Sequence, residues 1–108
     1  MVTKTTPEEE EDKQNQKDIF DLANKFIALA NNMSQKDKKE FWKIGTAFRY
    51  AAARYSSHES AVGSQDLLKD RDELENWMAS QFKTMLIENM QQQIAALKSK
   101  DQTDETLQ

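Results

Sequence analysis

The segment Phe41–Tyr55, FWKIGTAFRYAAARY, constrains the fold more than any other part of this chain. Phe41, Ile44, Phe48, Ala51, Ala52 and Tyr55 recur at intervals of three and four, which places them on one face of an α-helix. Thr46, Ala53 and Ser60 repeat every seven residues on another side, where small side chains let a neighbouring element approach closely. A helix that is apolar on one side and small on another is suited to touch two neighbours at once. It reads as the middle helix of a small bundle. Trp42 projects to the small-residue side and is expected to be covered there.

The helix has legible ends. Ser34 followed by Asp37 resembles a capping box shortened by one carbon. Gly63 stands where a left-handed glycine would close the far end, giving a helix of about 27 residues and about 40 Å. Before it, Ile19, Leu22, Ala23, Phe26, Ala30 and Met33 form a stripe that predicts a first helix over about Gln16–Asn31, widened by Phe20, Ile27 and Leu29. Asn31 and Asn32 suit its end. After Gly63, a third helix is expected to begin near Ser64 or Asp66 and to fray near Lys98. Its stripe is Leu67, Leu74, Trp77, Met78, Gln81, Phe82, Met85 and Leu86, after which the apolar set rotates to Ile87, Met90, Ile94 and Leu97.

With only two glycines and one proline, the chain lacks the turn residues that strands require. The fold class is therefore all-α, a three-helix antiparallel bundle over residues 16–98 with disordered tails at 1–15 and 99–108. Residues 1–15 hold Pro7 and the run Glu8–Asp12, and Leu107 is the only large apolar residue of 99–108. Neither end can bury enough surface to offset the entropy of ordering it.

Composition removes several chemistries. The absence of cysteine excludes disulfides, thiolate metal sites and cysteine nucleophiles. A net charge of −4 argues against phosphate-backbone binding, so no nucleic-acid partner is expected. No apolar run approaches a membrane span and the N-terminus has no signal-peptide pattern, which points to a cytoplasmic protein without a membrane partner. No internal repeat, Rossmann or P-loop glycine pattern occurs.

Three blocks, Phe20–Asn31 (FDLANKFIALAN), Tyr50–Tyr55 (YAAARY) and Phe82–Asn89 (FKTMLIEN), stand in a characteristic order and spacing. Over about residues 18–92 the chain resembles a family of short, acidic, all-α proteobacterial proteins catalogued as a domain of unknown function. The resemblance implies a helical fold and brings no activity, cofactor or catalytic residue.

The residues that could carry chemistry are few. His58 lies one turn past Arg54 and next to Glu59, which suggests a polar pocket around Arg54, His58 and Glu59 for an enzyme or small-ligand protein. Adjacent helix residues point about 100° apart, so Glu59 cannot orient the His58 ring along one helix. Glu59 falls within the apolar stripe; it either pairs with Arg71 or Lys25 or keeps its head in water beyond the core. The acidic group Asp66–Glu75 lacks calcium-loop and di-iron spacing and suits a helix N-terminus. No cofactor and no metal is expected.

Two groups suit contact with another protein. Arg49, Tyr50 and Arg54 form a polar side, on which Tyr50 and Arg54 lie one turn apart and can touch while Arg49 points elsewhere; together they would grip an anionic group or pair with acidic residues of the third helix. Ile87, Met90, Ile94 and Leu97 follow heptad spacing on a helix about 50 Å long, which the shorter first helix cannot cover. The expected function is a non-catalytic interaction module whose partner is another protein or a second copy, a homodimer through the third helix.

Overall fold

The structure is a computed structural model that describes the backbone of residues 6–34 and 40–106 and the side chains as far as Asp101. The described chain is all-α. It has three helices, α1 (Pro7–Ser34), α2 (Phe41–Gly63) and α3 (Leu67–Thr106), and no strand among the described residues.

Helix α1 starts at Pro7, nine residues ahead of the expected Gln16, and residues 7–15 are exposed. The cause is local. The Thr6 hydroxyl accepts from the Glu9 amide at 3.2 Å, and the Glu9 carboxylate accepts from the Thr6 amide at 3.3 Å, a reciprocal cap. Pro7 occupies the first helical position, where its missing N–H costs nothing, and Glu8, Glu9 and Glu10 meet the positive end of the helix dipole.

Ser34 is the last residue of α1, two positions past Asn32, and does not open α2. Its hydroxyl donates to the Asn31 carbonyl at 3.0 Å, satisfying one of the orphan acceptors of the helix end. Its expected partner Asp37 lies outside the described residues. Helix α2 is accordingly 23 residues long. Gly63 is its last helical residue, and no described glycine has a positive φ, so Gly63 is not the left-handed cap foreseen.

Three residues, 64–66, join α2 to α3. Asp66 caps α3: its carboxylate accepts from the Lys69 amide at 3.2 Å and its carbonyl from the Asp70 amide at 3.0 Å. The Ser64 hydroxyl donates to Asp70 at 2.8 Å and accepts from the Asp66 amide at 3.2 Å. Helix α3 then runs through Lys98 without a break, 40 residues in all, which takes in most of the expected C-terminal tail.

The chain divides into two units, residues 1–53 and 54–108. In the first, Ala23 and Ala30 of α1 and Ile44 and Gly45 of α2 are half-buried, and Ser34 is buried at 8% exposure. In the second, the end of α2 meets the start of α3. Ser64 contacts Asp70 and Ser60 contacts Met78, the reversed order that an antiparallel helix pair gives. Ser56, Ser60, Leu74 and Met78 are half-buried there. No hydrophobic side chain among the described residues is buried, and most residues of the expected apolar stripes are exposed.

Candidate interaction surface

Helix α3 carries the largest run of uncovered apolar surface in the second unit. The part of α2 in that unit, Arg54–Gly63, is ten residues and therefore about 15 Å long, against about 60 Å for α3. It reaches Leu74 and Met78 and no farther along the half-buried positions. From Ala79 to Asp101 every residue is exposed. Phe82, Met85, Leu86, Ile87, Met90, Ile94 and Leu97 all lie in this stretch, with Met90 at 54% exposure.

The apolar side turns along α3 because the sequence changes phase. Leu74, Met78 and Met85 share one face at intervals of four and seven. Ile87, Met90, Ile94 and Leu97 share another, rotated by more than a third of a turn at 100° per residue. The first face meets α2 and the second is left over. Polar residues beside it satisfy themselves within the helix: the Thr84 hydroxyl donates to the Ser80 carbonyl at 3.1 Å and the Asn89 amide to the Met85 carbonyl at 2.7 Å.

The polar group on α2 is divided between the two units. Arg49 belongs to the first unit, and its guanidinium donates to the Thr46 hydroxyl at 3.4 Å while lying across Gly45. Tyr50 is exposed, and Arg54 belongs to the second unit and is exposed. On α3, Arg71 pairs with Asp72 at 3.5 Å and Glu75 at 3.9 Å on its own helix. These pairs are exposed and each contributes well under about 1 kcal/mol.

The pocket foreseen around Arg54, His58 and Glu59 has no geometric support. All three are exposed, and His58 makes an edge contact with the Tyr55 ring at 6.3 Å between centroids. Glu59 keeps its head in water, the second of its two expected placements. Trp42, expected to be covered, is 69% exposed, with the Lys43 ammonium 5.9 Å from its ring. Among the described residues no group of three or more histidine, aspartate or glutamate side chains is placed to hold a metal ion. No helix of the described chain is long and apolar enough to cross a membrane.

Comparison with known proteins adds one positive match. A family model described as a protein of unknown function (DUF3144) matches residues 19–94. No curated protein and no solved structure matches the chain.

Proposed function

Starting from the premise that this chain belongs to the DUF3144 family of unknown function, we propose that it is a non-catalytic helical interaction module of the cytoplasm. It acts by burying apolar helix surface against another protein chain, with no nucleic acid, membrane or cofactor involved. The observation that carries this reading is the uninterrupted exposure of α3 from Ala79 to Asp101, with seven large apolar side chains in it. Covering the exposed half of each such side chain recovers about 1 kcal/mol, so the four residues of the heptad face alone supply about 4 kcal/mol per chain. Arg49, Tyr50 and Arg54 contribute at most a polar rim.

A photo-crosslinking amino acid at Met90 of the full-length protein tests the reading in cells. Irradiation is expected to give a discrete protein adduct that disappears when Ile87 and Ile94 are changed to serine. Absence of any protein adduct would refute the module.

A further inference from the structure

The heptad face of α3 is bounded by two opposite charges. Counting back four residues from Ile87 reaches Lys83, and counting on four from Leu97 reaches Asp101. Lys83, Ile87, Met90, Ile94, Leu97 and Asp101 are thus spaced four, three, four, three, four. This spacing reads the same in both directions. All six residues are exposed on one continuous helix.

A palindromic seam with opposite charges at its ends has a physical consequence. If two copies lie antiparallel about a two-fold axis level with Gln92, each a position meets a d position of the other chain. Ile87 falls opposite Leu97 of the second copy, and Met90 opposite its Ile94. Lys83 falls opposite Asp101 of the second copy, and the symmetry repeats every pair. A parallel arrangement would instead set lysine against lysine and aspartate against aspartate at the two ends. Of the residues beside the seam between these ends, Thr84, Leu86, Gln91 and Gln93 carry no charge, and Lys98 and Lys100 fall opposite Leu86 and Thr84 of the second copy, so no like charges are set against each other there.

We infer that the occupant of the α3 face is a second copy of this chain, paired antiparallel through Lys83–Asp101 with the four apolar residues between two reciprocal Lys83–Asp101 ion pairs. This rests on the interaction-module reading and adds partner, direction and register to it. The seam is about 27 Å long, short for an obligate dimer, which places the association in the micromolar range.

The test measures the mass of the full-length protein by light scattering as a function of concentration, at low salt. The wild type is expected to be a dimer at about 100 µM. Lys83→Glu puts two like-charged pairs at the seam ends and is expected to raise the dimer Kd about tenfold, and Asp101→Lys to do the same. The combined variant K83E/D101K restores opposite charges only in the antiparallel register and is expected to return within about threefold of wild type. Spin labels at position 83 should stand about 27 Å apart along the helix axis, against about 10 Å for a parallel pair. A wild type that stays monomeric, a combined variant no better than the single ones, or a parallel spin-label distance would each overturn the inference. A Met90 crosslink to some other protein would overturn it while leaving the module reading intact; no crosslink at all would remove both.

Discussion

The hydroxyl of Ser60 lies 2.9 Å from the Ser56 carbonyl on its own helix and 3.7 Å from the sulfur of Met78 on α3. The carbonyl is the stronger acceptor and holds the proton, because a thioether accepts only weakly. What Ser60 contributes between the helices is its small size, not a bond.

Replacing that small side chain separates the two roles. Ser60→Ala is expected to change unfolding free energy by less than about 0.5 kcal/mol. Ser60→Leu forces bulk against Met78 and is expected to cost about 1–3 kcal/mol. Urea titration followed by circular dichroism reads both. A large loss with alanine would mean that the hydroxyl matters after all.

Gly63 offers a prediction whose sign depends on backbone geometry. A left-handed glycine would make alanine costly there. Gly63 instead ends α2 with no positive φ, and a Cβ added to it meets nothing within 4 Å. Gly63→Ala is therefore expected to stabilise the protein by about 0.4–1 kcal/mol, chiefly by restricting the unfolded chain. Thermal unfolding should show a rise in Tm; a fall would place that residue in the left-handed region.

At the start of α3, Asp66→Ala removes the acceptor for the Lys69 amide and is expected to cost about 1 kcal/mol. Asp66→Asn keeps a capping oxygen and should stay within about 0.5 kcal/mol of the parent. Equal losses in both variants by chemical denaturation would show that charge, not capping, matters at this position.

The cap of α1 is expected to act locally. Thr6→Ala removes the acceptor for the Glu9 amide and should weaken the first turns by about 1 kcal/mol. Because those turns are fully exposed, the change is predicted in amide exchange of Glu9 and its neighbours, several-fold faster, with Tm hardly moved. Slow exchange retained in the variant would show that the helix start is held by something other than Thr6.

Helix identity was legible in the sequence because periods of three and four in Ile19–Met33, Phe41–Tyr55 and Leu67–Leu86 leave little alternative. The ends were harder, since they turn on single hydrogen bonds. Thr6 and Glu9 stand three apart as a capping pair, a signal present at the sequence level but outweighed there by the polarity of the segment. Ser34 resembles an N-cap, yet its hydroxyl bonds backward to Asn31, a choice that composition does not encode. Of the surface residues, Ile87, Met90, Ile94 and Leu97 were found by their heptad spacing, and the structure leaves them exposed. Lys83 and Asp101 continue the same spacing but are charged, so apolar periodicity alone does not single them out. Helical spacing alone sets Arg49 in a different direction from Tyr50 and Arg54, whereas its bond to the Thr46 hydroxyl is a detail that spacing does not encode.

On the proposed reading, the length of α3 gives its two halves different tasks. Substitutions up to about Met78 should act on how the helix pair holds together, whereas those beyond Ala79 should alter recognition and leave folding near its starting level. A genetic screen of this single element would therefore sort its phenotypes by position, with the border near one residue. Such a division lets the recognition end drift in sequence without endangering the anchor from which it extends.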